Sequence, residues 1–440
     1  MRALDQFLET IRSNRAGRGG VAMSVCSAHP LVLRALYRTA RRHDTFALVE
    51  STSNQVDQYG GYTGLNPADF ARLVRALAAE EGFPEERILL GGDHLGPNTW
   101  RARPARAAMD EALELVAAYV RAGYEKIHLD ASFLCAGDPS PLPEEVIADR
   151  CAQLAARCEE VRGDAAPVYV VGTEVPTPGG VRAEEAMRVT SPGEVARTLE
   201  AFGAAFRRRG LEAAWERVVG LVVQPGVEFG DGGVHDYQPA PGLARAVLAH
   251  PGIVFEAHST DYQAPGALRA MVQDHFCILK VGPWLTYALR EALFLLELME
   301  RELAPPVPSR LRDTLTRVMR EDPRHWAAYY DGPPEEVSFK LAFSYSDRAR
   351  YYLGRPEVLE AQARLFANLS PRLPETLISQ YMPAAFLHVR AGALVPTPRE
   401  LAVERVREVM EVYLQAGAAP GAPAPSPAAT ARAAPGGPRC

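Results

Sequence analysis

Ile88-Leu89-Leu90-Gly91-Gly92-Asp93-His94-Leu95-Gly96-Pro97-Asn98 decides the fold. An apolar run stops at an acid and an imidazole side by side. Gly96, Pro97 and Asn98 then favour a turn over further strand. A buried strand that hands polar groups to a turn is what the open, carboxyl end of a parallel barrel requires. The same unit recurs on either side of it. Apolar strands are expected over 21–26, 46–50, 88–92, 126–130, 168–172, 218–223, 253–256 and 276–281. Helices are expected between them, over 31–42, 67–81, 110–122, 142–161, 191–209, 243–249, 265–274 and 286–301, after a short opening helix over 4–12. Asn66-Pro67 and Ser191-Pro192-Gly193-Glu194 are helix-start signals.

Eight apolar strands alternating with helices predict a (β/α)8 TIM barrel, because parallel strands buried on both faces read as continuous apolar runs. An open, doubly wound sheet is disfavoured by the count of eight and by the lack of a G-x-G-x-x-G turn. The barrel is expected over 1–302. A helical appendix packed on the barrel is expected over 303–415, and an Ala/Pro/Gly-rich disordered tail over 416–440.

The chain has 440 residues, 47% hydrophobic and 23% charged, with a formal charge of −6. That balance gives no general attraction to nucleic acid or to an anionic membrane. No apolar run reaches the roughly 20 residues of a membrane span. Cys26, Cys135, Cys151, Cys158, Cys277 and Cys440 include no C-x-x-C pair, so reduced thiols and a cytoplasmic location are expected.

The strand ends carry the chemistry. They offer Ser27 and His29, then Glu50, Asn54 and Gln55, then Asp93 and His94. His128, Asp130 and Ser132 follow, then Glu174, then Gln224 and Glu228, then His258 and Asp261, and last Lys280. Acids and imidazoles converging on one rim fit a divalent metal, zinc first, with Mn²⁺ or Co²⁺ also admitted by mixed nitrogen and oxygen donors. Asp93 beside His94 suggests a carboxylate that moves a proton on whatever the metal holds, the equipment of enediolate or aldol chemistry. Asp93, Asp130 and Glu174 are the candidate catalytic acids. His94, His258, Glu174 and Gln224 are the candidate ligands. Asn54, Gln55, Asn98, Gly226, Ser259, Asp261 and Lys280 are candidates to bind substrate. Other readings stay open: Asp130 as a helix cap, Lys280 lying along its strand, 226–233 as glycines serving loop geometry, and Arg348 and Arg350 as surface arginines paired with Asp347.

These residues resemble the GatZ/KbaZ family, the "non-catalytic" subunits of class II D-tagatose-1,6-bisphosphate aldolase. The likeness lies in Cys26-Ser-Ala-His29-Pro, Glu50-Ser-Thr-Ser-Asn-Gln-Val, Gly60-Gly-Tyr-Thr-Gly64, Gly91-Gly-Asp-His-Leu-Gly-Pro-Asn98, Lys126-Ile-His-Leu-Asp130, Gly172-Thr-Glu174, Val223-Gln-Pro-Gly226 and Phe255-Glu-Ala-His258. It continues through Phe343-Ser-Tyr-Ser-Asp-Arg and Ser379-Gln-Tyr-Met-Pro383 and covers about 4–415. The resemblance implies a class II aldolase-like barrel in which Asp93 is the acid/base and His94 and His258 bind zinc. Gln224 stands where a third zinc histidine is expected, and Asp130 and Glu174 match acidic positions of a secondary cation site. It implies either a metal-dependent 4-epimerase of fructose and tagatose or their 6-phosphates, or a partner that stabilises a catalytic aldolase subunit. A ketose or ketose phosphate is the expected ligand, and a homo-oligomer the expected assembly.

Overall fold

A computed structural model describes residues 1–173, 188–370 and 373–419. Among the described residues there are ten strands: β1 (Ala22–Val25), β2 (Ala47–Thr52), β3 (Ile88–Leu95), β4 (Lys126–Leu129), β5 (Val168–Val171), β6 (Val218–Val222), β7 (Glu228–Phe229), β8 (Val234–His235), β9 (Val254–Ala257) and β10 (Phe276–Val281). Eight close a parallel barrel in the order β1-β10-β9-β6-β5-β4-β3-β2. This is the (β/α)8 architecture that the apolar runs predict. Strands β1, β4, β5, β6, β9 and β10 are buried throughout, as helices on one face and a packed interior on the other demand.

The glycine-rich stretch after Gln224 forms a small antiparallel hairpin, β7 with β8. The Gly230 N–H donates to the Gly233 carbonyl at 3.0 Å across its turn.

Local signals explain the helix starts. The Asn66 side chain accepts the Asp69 N–H and opens Pro67–Glu80. Ser191 and Glu194 form a reciprocal capping box on Pro192–Arg208. His29, which the sequence offers as a rim group, is instead the N-cap of Pro30–Arg42, with Nδ1 accepting the Leu31 N–H at 3.2 Å.

The helix Ala3–Arg15 closes the amino-terminal end of the barrel. Its Ala3, Phe7 and Ile11, one turn apart on one face, share a buried cluster with Ala22, Phe46, Leu89, Val168 and Val254 at the strand starts. The carboxyl end of the strands is thereby left as the open one.

The chain forms two compact units. The first is Met1–Trp284 together with Met410–Ala419, and the second is Leu285–Val409. In the first, the end of the helix Pro398–Ala416 returns to the barrel. Tyr413 Oη donates to the Thr260 carbonyl at 2.7 Å, and the Gly20 N–H donates to the Gly417 carbonyl at 2.8 Å. The second unit is helical, with Leu311–Glu321, Pro334–Phe343, Pro356–Asn368, Glu375–Tyr381 and Pro383–Arg390. No described helix is long and apolar enough to cross a membrane. The five described cysteines are free thiols.

Candidate active site and metal centre

β3 does not stop at Gly92. It continues to Leu95 through a bulge. Its register with β4 pairs Gly92 with Ile127 and next Leu95 with Leu129, so β3 spends one residue more than its neighbour. Asp93 and His94 occupy that bulge, and His94 takes the left-handed φ of +49°. A bulge re-aims side chains, and left-handed backbone at a non-glycine residue marks local strain. Here both consecutive residues are buried. Gly96 is obligatory, because a Cβ there would lie 1.7 Å from the Asp130 carbonyl oxygen.

Two buried lysines lie among the carboxylates. Lys126 Nζ is 2.6 Å from Glu50 Oε1 and 2.6 Å from Glu256 Oε2, with all three side chains fully buried. Lys280 Nζ pairs with Glu50, with Asp93 Oδ1 at 2.8 Å and with Glu256 Oε1 at 3.5 Å. Lys280 therefore points into the barrel and does not run along its strand. Beside these groups stand three imidazoles. The ring centroids are 4.8 Å apart for His94 and His258, 5.2 Å for His94 and His128, and 5.3 Å for His128 and His258.

The carboxylates set the imidazole tautomers. His94 Nδ1 lies 2.8 Å from Asp130 Oδ2, and His128 Nδ1 lies 2.9 Å from Asp93 Oδ1. His258 Nε2 lies 3.2 Å from Glu256 Oε1. An ionised carboxylate only accepts, so a ring N–H of each imidazole answers its acid; His128 Nδ1 also lies 3.2 Å from the His94 backbone N–H.

Burial would raise the Asp93 carboxyl, but the charges of His94 and Lys280 and the His128 hydrogen bond hold it well below the usual range. Burial would also raise Glu256, and the charges of Lys126 and Lys280 with the His258 hydrogen bond hold it well below as well. Asp130, which burial opposes and His94 and Ser132 favour, falls to about 2. Burial lowers His258 to about 4, so it stays neutral near pH 7. His94 moves the other way: burial lowers it, and Asp93 and Asp130 outweigh that.

The site fits a divalent cation on two counts. Among the described residues, the interior carries four carboxylates (Glu50, Asp93, Asp130 and Glu256) against two ammonium groups, Lys126 and Lys280. With the charge of His94 counted as well, one negative charge is left to answer in a dry interior, where uncompensated charge is expensive. Second, Asp93, His128, Glu256 and His258 each offer one ligand atom within 4.8 Å of the others. His128 Nε2 is buried with no hydrogen-bond partner among the described residues. Two imidazoles and two carboxylates suit zinc and also Mn²⁺ or Co²⁺.

Asp130 yields a pH prediction. Its folded pKa is depressed below the roughly 3.9 of an unfolded aspartate. Its contribution is therefore full above about pH 4 and drains as pH falls toward 2. Across that window wild type should lose on the order of 2–3 kcal/mol more than Asp130→Asn, measured as the fall in urea midpoint.

The structure thus brings together Asp93, His94, Asp130, His258 and Lys280 of the expected set. Asp130 caps no helix, since the next one is Glu144–Val161. It holds His94 and accepts from Ser132. Ser259, with φ +54°, directly follows His258, and half-buried Asn98 lies on the turn Pro97–Trp100 after β3. Gln55 Oε1 accepts the Thr52 N–H at 2.9 Å and Nε2 donates to the Cys26 carbonyl at 3.4 Å, tying two strand exits together. Asp261 Oδ1 accepts the N–H groups of Gly282 and Trp284 at 3.0 and 2.8 Å, which fixes the start of the helix Pro283–Leu303. Asn54 is exposed and accepts from Thr99 Oγ1 at 3.3 Å. Gly226 makes the left-handed turn after Pro225, with φ +79°. Gln224 is half-buried, and its backbone pairs with Thr190. Glu174 lies outside the described residues. Arg348 is not on the surface; it is buried over the Tyr329 ring, and the Asp347 side chain meets Thr286 and Arg290 instead.

Lys126 and Glu256 escaped the sequence reading, and His128 and Glu50 were seen only as rim groups. The signal was the two-residue alternation of Lys126, His128 and Asp130 on β4 and beyond its end, and of Glu256 and His258 on β9 and beyond. Residues two apart on a strand share a face.

The fold and site define a (β/α)8 barrel whose interior holds a carboxylate–imidazole centre suited to a divalent cation. The model of the GatZ/KbaZ-like family, the D-tagatose-1,6-bisphosphate aldolase subunits, matches residues 7–418. The chain belongs to that family. It is 46% identical to a probable tagatose 6 phosphate kinase from Sinorhizobium meliloti 1021, with a TM-score of 0.85 over 91% of this chain and 100% of that one. More distant matches include the fructose-bisphosphate aldolase of Campylobacter jejuni, 14% identical with TM-score 0.45 over 84% and 96% of the two chains. The YdjI aldolase of Escherichia coli K12 is 10% identical with TM-score 0.42 over 79% and 94%.

Proposed function

We propose that this chain is a divalent-metal-dependent enzyme that interconverts fructose and tagatose, or their 6-phosphates, at C4. The observation that carries the reading is the convergence of an anionic, buried Asp93 with three imidazoles and a second acid in one barrel interior. The family's description and the Sinorhizobium protein's name, which both specify a tagatose phosphate, support the substrate class.

His128, His258 and Glu256 would hold the cation, with His94 next in reach. Once bound, it would polarise the ketose carbonyl and acidify the adjoining hydroxyl. Asp93 does the proton work. Its Oδ1 is fixed by His128 and Lys280, which leaves Oδ2 to accept the C4 hydroxyl proton. The C3–C4 bond then breaks, its electron pair stays with C3, and C4 becomes an aldehyde. After the aldehyde turns, C3 attacks its other face and Asp93 returns the proton to O4. Lys280 and the His128 hydrogen bond keep Asp93 ionised between turnovers, and the buried walls exclude the water that would quench the carbanion.

A second reading, a subunit that stabilises a separate class II aldolase chain, is favoured by the word subunit in the family's description. Metal content and turnover separate the two. The enzyme reading expects about one equivalent of Zn²⁺, Mn²⁺ or Co²⁺ per chain, lost in His128→Ala and in His258→Ala, and chelator-sensitive interconversion of fructose 6-phosphate and tagatose 6-phosphate or of the free sugars. A metal-loaded protein that converts none of them, yet raises the activity of an aldolase chain it binds, would establish the second reading.

A further inference from the structure

We propose that the unit Leu285–Val409 carries a binding site of its own for a planar aromatic anion of about nucleoside-monophosphate size. The site is a cavity of about 330 Å³, at the lower end of the volumes typical of small-molecule pockets. Its aromatic walls are Tyr287, Phe294 and Phe343. Its charge is positive, since four arginines (Arg290, Arg301, Arg312 and Arg405) line it against two glutamates, Glu291 and Glu297.

The decisive group is Arg290, which is only 2% exposed. Its Nε reaches Asp347 Oδ1 at 3.3 Å, while Nη2 is buried with no hydrogen-bond partner among the described residues. A buried guanidinium N–H without an acceptor is costly to maintain, and an anionic oxygen is what it best accommodates. Asp347 and Phe343 both belong to the Phe343-Ser-Tyr-Ser-Asp-Arg segment, which the barrel chemistry leaves unused.

The rings and the arginines act as a pair. Arg290 Cζ lies 4.0 Å from the Tyr287 ring centroid and 5.3 Å from that of Phe294. Arg312 Cζ lies 4.8 Å from Phe343 and 5.9 Å from Phe294. A guanidinium lying on a ring keeps its N–H edge available for oxygens. The two acids of the lining are already engaged: Glu291 with Arg405 at 2.7 Å, and Glu297 with the Arg312 backbone N–H at 3.4 Å. The remaining complement is a flat ring to stack on the aromatic walls and an anion between the two guanidiniums.

The test uses the full-length protein with AMP and adenosine as probes, by calorimetric titration. Saturable AMP binding at least tenfold tighter than adenosine is expected. Arg312→Ala, at an exposed position that does not threaten folding, should remove that tenfold advantage, and Phe343→Leu should weaken both probes. No saturable binding of AMP, equal binding of the two probes, or AMP binding unchanged by Arg312→Ala would each overturn the proposal. None of these outcomes depends on what the barrel catalyses.

Discussion

Lys126→Met should cost about 3–5 kcal/mol of stability, the usual penalty for stranding buried charge. Lys126 is wedged between Glu50 and Glu256, and all three are fully buried. With the ammonium gone, Lys280 would be the one remaining ammonium facing Glu50, Glu256 and Asp93. Water cannot reach the stranded carboxylates, so one must take a proton or the barrel must open. The fall is read from the urea midpoint at pH 7. Adding Glu50→Gln, which removes one stranded charge, should recover more than half of the loss. A Lys126→Met protein within about 1 kcal/mol of wild type would mean that these groups do not form an ionic network; ordinary surface substitutions fall within about 0.5 kcal/mol.

Asp93→Asn should lower kcat by about 10²–10⁴-fold, the range for removing a general acid/base, with KM nearly unchanged. The amide keeps the shape of the carboxylate but takes no proton. Lys280 retains Glu50 and Glu256 as partners, so the interior should still fold. Metal content should fall less than in His128→Ala or His258→Ala, because His128, Glu256 and His258 are untouched. A kcat within tenfold of wild type, with metal in place, would move the proton-transfer role to another group.

The fold was legible because its signals are local. Buried parallel strands gave eight apolar runs, and Asn66-Pro67 and Ser191-x-x-Glu194 marked helix starts that the structure keeps. Asp93, Asp130 and His258 were legible because polar residues at strand ends stand out against apolar runs. What stayed hidden depends on distant contacts. β3 runs on through Asp93 and His94 because of its register with β4 and the close approach of Gly96 to the Asp130 carbonyl, and neither is visible within one segment. Lys126 and Glu256 read as strand edges because a buried charge makes sense only once its partners are known, and Lys126 pairs with Glu50, 76 positions away, and with Glu256, 130 positions away. Asp261 and Gln55 read as substrate groups in the sequence; one oxygen of Asp261 accepts the Gly282 and Trp284 N–H groups and the amide oxygen of Gln55 accepts that of Thr52 at the end of β2, contacts that no single segment foretells.

The return of the last helix to the barrel has a consequence for the order of events during synthesis. Thr260, two residues beyond His258, donates a hydrogen bond from its hydroxyl to the Lys280 carbonyl at 2.6 Å, and its own carbonyl accepts one from Tyr413 Oη at 2.7 Å. A ribosome that has just made Trp284 has supplied every barrel strand. It has still to make all of Leu285–Val409 before Tyr413 exists. The loop that holds His258 in place is therefore among the last parts of the molecule to be secured. The nascent chain passes through a stage in which the barrel is written in full but its carboxyl rim is not yet fastened.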